Sequence, residues 1–319
     1  MKRKGIFLLT LLSSCMSDNR QSMIHTASQV ADDIAYLWWL MLIVYTAVFL
    51  VVITLLAFGI KTKTRSEVPG GSRLWLLIGG IALPFVTVLV MLILSLQVTK
   101  AIPTDKADLV VEVVGRNWWW EVRYPEYGIV SANEIYLPQG ANVRFDLSAR
   151  EVIHSFWLPA LQGKMDMIPD HSTQLFLKTR EIGKFRGICA EFCGLQHARM
   201  AFHVVVLEEQ DFAEWLAARQ SDASVQKAMQ LAGHEVYFKK GCDTCHRIRG
   251  SEAQGDVGPD LTHIGSRLSL GAGTLPYSQE NLAAFVHDPQ TFKPGNAMPA
   301  TVIDDDAMQD LVEFLDTLK

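Results

Sequence analysis

The 319-residue sequence predicts a multidomain membrane protein, made of a two-helix transmembrane hairpin, an all-β domain and an all-α domain. Three observations predict this order. Residues 36–60 and 74–98 are two runs of 25 residues without a charge, and each exceeds the roughly 20 needed to cross the hydrocarbon core of a bilayer. Residues 108–207 hold short apolar runs separated by turn signals such as Pro138-Gln139-Gly140, the texture of a β-sandwich or small barrel. From Lys227 onward apolar residues recur three and four apart, as on helices. Charge follows the same division. Lys and Arg outnumber Asp and Glu nine to four in residues 1–100, whereas the acids lead sixteen to eleven in 101–216 and fourteen to nine in 217–319. An acidic soluble half argues against nucleic acid and suits a basic protein partner.

Each element has its own justification. Residues 1–14 read as a signal peptide, with basic residues ahead of an apolar run too short to span a bilayer. Leu12-Ser13-Ser14-Cys15 resembles a bacterial lipobox, which makes Cys15 the lipidated first residue of the mature chain. Residues 15–35 form an extracytoplasmic N-terminal segment. The spans follow at 36–60 and 74–98, the second with Pro84 inside it, where a kink is tolerable. The loop at 61–73 carries Lys61, Lys63, Arg65 and Arg73 against Glu67 alone, so it is expected on the cytoplasmic side. Both termini then lie on the periplasmic face of a bacterial inner membrane. Runs at 109–114, 142–147 and 174–177 are strand-like within the all-β domain, 99–216. Residues 217–226 read as a polar linker. The all-α domain, 227–319, has helical patterns at 230–240, 279–287 and 304–318.

Five cysteines would leave one over in a disulfide framework, and their positions sort otherwise: Cys15 alone, Cys189 with Cys193, Cys242 with Cys245. Residues 189–200 read CAEFCGLQHARM, which places Cys189, Cys193, His197 and Met200 in one loop. Thiolate and thioether are soft ligands, and imidazole suits copper, zinc and iron. Structural zinc ordinarily takes four strong ligands and no methionine. A second imidazole is available in His154, at the end of a strand-like run and shortly before Pro159, where it could also be a purely structural histidine. Thiolate, imidazole and a weak methionine on a β-sandwich suggest a cupredoxin. The second cysteine would let two thiolates bridge two copper ions, with a disulfide or structural zinc as the bland alternatives.

CAEFCGLQHARM with the upstream VIHSFWLP resembles subunit II of cytochrome c oxidase, the copper A subunit, over residues 36 to about 215. The resemblance implies that Cys189 and Cys193 bridge two coppers and that His154 and His197 ligate one each. It makes Met200 a weak ligand of one copper and the Glu191 carbonyl a weak ligand of the other. It implies further that the Glu191 side chain reaches a magnesium or manganese ion at the interface with subunit I. In Gly115-Arg116-Asn117-Trp118-Trp119-Trp120, Trp119 and Trp120 are expected to pack in the core. Trp118 matches the family's tryptophan at the surface over the copper, and so is implied as electron entry point and docking anchor. Two positions depart from the family pattern. Arg123 stands where members with a separate cytochrome donor often have an acid, although Glu151 keeps acidic character on that face, and Leu77 stands where many have a glutamate at a proton-uptake entrance.

Cys242-Asp243-Thr244-Cys245-His246 is the attachment signature of c-type haem, with His246 as proximal iron ligand. With VGPDL at 257–261 and KPGNAMP at 293–299 it resembles class I cytochrome c. That resemblance implies a covalent haem c on Cys242 and Cys245, a Pro259 carbonyl accepting from His246, and Met298 as sixth ligand, a pairing that favours electron transfer. His263 and His287 are the alternative sixth ligands, and Met308 is expected in the core. No disulfide is expected. The whole chain then resembles a subunit II with a fused cytochrome c domain, as in caa-type oxidases. The implied partners are oxidase subunits I and III, a cytochrome c-type donor and the membrane. The implied role is to pass electrons through haem c and dinuclear copper A to subunit I, where oxygen is reduced. A copper A-containing nitric oxide reductase, or an anchored carrier without a catalytic partner, are the alternatives.

Overall fold

The computed structural model describes residues 21–62, 72–101 and 106–319. The signal peptide with Cys15, most of the loop at 61–73 and the start of the all-β domain therefore lie outside the described residues. The chain divides into two compact units, Gln29–Pro103 and the remainder.

The first unit is a helical hairpin. Helix α1, Gln29–Thr62, is 34 residues long, and Asp32 in its first turn complements the positive end of the helix dipole. At 1.5 Å per residue it extends about 50 Å, so it outruns the charge-free stretch from which it was inferred. The second arm has helix α2, Ser72–Leu77, a π-helical turn, Ile78–Ala82, and helix α3, Leu83–Ala101. The π turn sits just before Pro84. Proline cannot donate to the preceding turn, and one wide turn absorbs the missing bond without ending the helix. Large apolar side chains such as Leu55, Phe58, Trp75 and Phe85 stand exposed along both arms. Both arms are long and apolar enough to cross a membrane.

The second unit begins with a two-sheet sandwich. One sheet orders its strands β3-β2-β1-β5-β8, with β1 Leu109–Arg116, β2 Trp119–Tyr124, β3 Ile129–Ala132, β5 Asn142–Ala149 and β8 Thr173–Lys178. The other orders β4-β10-β9-β6-β7, with β4 Glu134–Pro138, β6 His154–Trp157, β7 Lys164–Met167, β9 Gly183–Cys189 and β10 Ala201–Leu207. Inward residues alternate along β1 and β5, and Val111, Val113, Phe145 and Leu147 meet Phe156, Phe202 and Val204 of the facing sheet in one core. Trp120 is fully buried there, against Phe156 and Phe202.

The stretch expected to be a linker is mostly helical. Helix α4, Glu209–Gln220, belongs to the sandwich: Phe212 enters its core and Trp215 stacks on Tyr136 at 4.6 Å. Helix α5, Ala223–Ala228, already contributes Val225 and Ala228 to a separate core. Only Ser221 and Asp222 lie between the two helices, because each has an apolar face that finds a different domain.

Besides α5, that second core is built by α6 (Gly233–Lys239), α7 (Gln279–His287) and α9 (Asp305–Thr317), with the short α8 (Pro289–Phe292) following α7. Ser278 and Asp304 cap α7 and α9, accepting from the backbone N–H three residues on. A β-carbon on Gly233 would lie 2.0 Å from the Asp310 carbonyl, so only glycine admits this crossing of α6 and α9. The domain is not wholly helical. Strands β11 (Ser269–Leu270) and β12 (Leu275–Pro276) pair across the turn at Gly271, Ala272 and Gly273, all three with positive φ.

Candidate metal and haem sites

His154 opens β6 and Cys189 closes β9, which pair with Phe156 opposite Cys189. Both side chains therefore emerge at the same end of the sheet. The loop 190–200 closes over them through a hydrogen bond from the Cys189 N–H to the Met200 carbonyl, 3.0 Å. The Cys189 sulfur lies 3.7 Å from that of Cys193 and 3.8 Å from His154 Nδ1. The Cys193 sulfur lies 3.7 Å from His197 Nδ1 and 3.9 Å from Met200 Sδ. The Glu191 carbonyl is 3.2 Å from the Cys189 sulfur, while the residue itself is exposed. Two thiols thus stand side by side, each with one imidazole and one weaker donor. Neither is in a disulfide, and His154, Cys189 and Cys193 are the one His/Cys/acid group with metal-ligand spacing among the described residues.

The donor set fits a soft dinuclear metal centre. His154 turns Nδ1 toward the thiols and is fully buried. Strand β1 packs so close behind this ring that a β-carbon on Gly115 would lie 2.8 Å from it. Hydrogen bonds from Cys193 and His154 hold the Cys189 thiol far below its ordinary value, while the hydrogen bond to Cys189 and burial push the Cys193 thiol up. The two thiols therefore share one proton more readily than they hold two.

The second site is a cavity of about 260 Å³ in the helical domain. Cys242, Cys245, His246, Pro259 and Met298 all line it. His246 Nδ1 is 2.7 Å from the Pro259 carbonyl, which makes Nδ1 the donor and leaves Nε2 deprotonated. A β-carbon on Gly258 would lie 2.4 Å from the His246 ring, so the chain there is cut to the imidazole. Asn296 accepts from the Met298 N–H at 2.7 Å, and the Gln290 amide donates to the Met298 carbonyl at 2.9 Å. Both cysteines are free. The apolar lining, two thiols, an oriented imidazole and a thioether fit a haem. His263 instead points to the Arg219 carbonyl, 3.0 Å, and His287 is exposed; neither lines the cavity. Met308 packs on the domain core.

The cavity has a wall from the other domain. Asn117, Trp118 and Trp119 of the sandwich line it beside the helical-domain residues. Trp119 is thus not in the sandwich core, contrary to the expectation from strand alternation. It is half-buried, with Arg116 over its ring at 5.3 Å. Trp118 lies between the two sites rather than on an open surface. Its indole N–H donates to the Cys193 carbonyl at 2.6 Å, and a β-carbon on Gly194 would touch its ring at 3.1 Å. Arg123 pairs with Glu121, as does Arg116, and Glu151 accepts from the Asn117 N–H at 3.2 Å.

Sequence reasoning missed the residues that join the domains. Glu134 is 2% exposed and accepts from the Leu268 N–H of the helical domain at 2.5 Å. Burial raises its carboxyl, opposed by the Arg267 charge and by that N–H. His203 meets Ser269 at 3.1 Å. Lys293 is the one Lys or Arg between Arg267 and Lys319, a weak signal that it has a special place.

A family model for the periplasmic domain of cytochrome c oxidase subunit II matches residues 129–208, and one for cytochrome c matches 230–319. Cytochrome c oxidase subunit 2 of Bacillus sp. (strain PS3) is 34% identical over 280 residues, which cover 82% of this chain and 78% of that protein. The protein of the same name from Alkalihalophilus pseudofirmus is 35% identical over 211 residues, 66% of this chain; the chain spans 61% of that relative's length. Among solved structures, the periplasmic domain of subunit II of cytochrome oxidase from Bradyrhizobium japonicum is 30% identical, covering 37% of this chain and 97% of that one, with a TM-score of 0.36. The copper-type sandwich and the haem-type helical domain thus fall into a single lineage, and the chain belongs to the cytochrome c oxidase subunit II family with a cytochrome c domain at its C-terminal end.

Proposed function

We propose that this chain is the electron-entry subunit of a membrane terminal oxidase. The observation that carries the reading is the pair of free cysteine sulfurs 3.7 Å apart, each beside its own imidazole, in a chain that also holds a CxxCH cavity. Cys189 and Cys193 would bridge two copper ions, with His154 and His197 as strong outer ligands and Met200 and the Glu191 carbonyl as weak ones. Cys242 and Cys245 would hold a covalent haem, with His246 and Met298 on its iron. When bound, the two groups supply one-electron carriers between an external cytochrome c-type donor and haem in subunit I, where oxygen is reduced to water.

The chain's own residues do the rest. The Pro259 carbonyl keeps the proton on His246 Nδ1 and so directs Nε2 into the cavity. Asn296 and Gln290 fix the backbone of Met298. Strand β1 and the sheet end hold His154 and Cys189 in position before any metal arrives, so little has to move when the charge on the centre changes. Trp118 lines the cavity on one side and bonds the Cys193 carbonyl on the other, so it connects the two sites. The exposed Glu191 carboxylate is free to meet a magnesium or manganese ion at the surface facing subunit I. The two apolar arms anchor the chain, with both soluble domains on the periplasmic side of a bacterial inner membrane.

Gas consumption by the gently solubilised complex, fed with reduced cytochrome c, tests this. Cyanide-sensitive oxygen uptake is expected. Turnover of nitric oxide alone would replace the oxidase with a nitric oxide reductase, and no turnover with either gas would leave an electron carrier. Metal analysis of the purified chain should find two coppers and one haem, with the haem retained on denaturation.

A further inference from the structure

Lys293 lies in the helical-domain loop that leads to Met298, yet it is only 4% exposed. Its ammonium donates to three carbonyls: Gly271 of its own domain at 3.1 Å, and Trp118 and Arg199 of the sandwich at 3.0 and 2.7 Å. An ammonium has three donors and no acceptor, so these bonds satisfy it completely without a carboxylate. A buried charge is tolerated only where hydrogen bonds replace its water. Two of the three here come from the other domain, so the buried charge and the docked geometry require each other.

The carbonyls are well chosen. Arg199 immediately precedes Met200, and Trp118 bonds Cys193. One side chain therefore ties the Met298 loop to both flanks of the thiol pair. Further bonds cross the same boundary, from the Gln196 amide to the Pro294 carbonyl at 2.6 Å and from the Ala201 N–H to the Ala272 carbonyl at 2.9 Å. At Gly295 a β-carbon would lie 2.7 Å from Leu195, so the two loops touch backbone to side chain.

We propose that Lys293 is a latch that keeps the haem domain docked on the copper domain, as a positioning residue that makes the two one body instead of a tethered pair that swings. The docked domain covers the Trp118 face, so a soluble donor delivers electrons to the haem domain and not to that tryptophan. This consequence rests on the electron-entry reading, but the latch does not.

Amine labelling of the native complex, followed by peptide mass spectrometry, tests the latch on the unaltered protein. Lys293 should label at least about 100-fold more slowly than the exposed Lys184 and Lys239, because modification waits for opening. Labelling at the same rate as those two would overturn the proposal, whatever the complex reduces. In Lys293→Met, which keeps the apolar stem, amide exchange in segments 196–201 and 269–273 should quicken by about tenfold or more. Electron transfer from photoreduced haem to copper should slow while both reduction potentials stay put. Unchanged exchange and an unchanged rate in that variant would sink the latch. If the variant does not accumulate, the labelling of the unaltered protein still decides.

Discussion

The thiol loop and the haem cavity differ in what builds them. Every expected ligand at the thiol loop comes from one sandwich, and the donors already stand within 4 Å of their neighbours. The cavity is shared: Cys242, Cys245, His246 and Met298 come from the helical domain, but Asn117, Trp118 and Trp119 close one side of it. A site inside one domain is as rigid as that domain. A site walled by two depends also on the contact between them, so its surroundings respond to docking.

The largest effect should come from Cys193→Ser. It removes one of the two thiols proposed to bridge the coppers and leaves His197 and Met200 without their shared neighbour. Copper should fall below one per chain and oxidase turnover by more than about 100-fold, beyond the usual cost of losing an outer partner. Haem content, read from the absorbance of the purified chain, should not change. Loss of haem together with copper would show that the cavity depends on the loaded loop, and the comparison would fail.

Next come two glycines that press on the two histidines. Gly258→Ala puts a methyl 2.4 Å from the His246 ring, and Gly115→Ala puts one 2.8 Å from the His154 ring. Displacing either ring should weaken its own site about 10- to 100-fold, as does losing the outer partner that orients a ligating histidine. Haem loading and copper titration, measured on both variants, should respond separately. A cross effect would mean that strain passes through Trp118.

A smaller loss is expected from Gly233→Ala, where a methyl would meet the Asp310 carbonyl and the Phe314 side chain. Overpacking of this kind costs about 1–3 kcal/mol. Calorimetry should show the lower midpoint in the helical-domain transition, with the sandwich transition unmoved.

The smallest effect concerns pH. Burial, reinforced by the charges of Arg186 and Lys184, holds the His203 imidazole below its ordinary 6.5. The unfolded chain then binds more protons than the folded one between that lowered value and 6.5. The contribution is complete above 6.5 and is lost as pH falls through the lowered value. His203 meets Ser269 across the domain boundary, so the protection factors of the amides at 268–270, corrected for the intrinsic pH dependence of exchange, should fall on acidification. His203→Gln should flatten that pH dependence, and an unaltered slope would assign it to other groups.

Much of the architecture was legible because it is written in local patterns. The strand-like runs at 109–114, 142–147 and 174–177 fall within β1, β5 and β8, and α7 has the bounds its periodicity indicated. The linker was misread because polar residues such as Gln220, Ser221 and Asp222 look like a tether when the faces of α4 and α5 have no visible partners. Trp119 was misread for a related reason. Alternation along a strand says which face a residue takes, not whether a second domain covers that face.

By itself the sequence determined the hairpin, the two thiol pairs and the candidate ligands close to each. Those features depend on spacings within one helix, one loop or one turn, and short-range geometry follows from the chain. Tertiary structure alone decided that Gly115 backs His154, that Trp118 stands between the two sites, and that Lys293 reaches a carbonyl 175 positions away. These depend on which surfaces meet when two hydrophobic cores exclude water, and no spacing along the chain encodes that meeting directly.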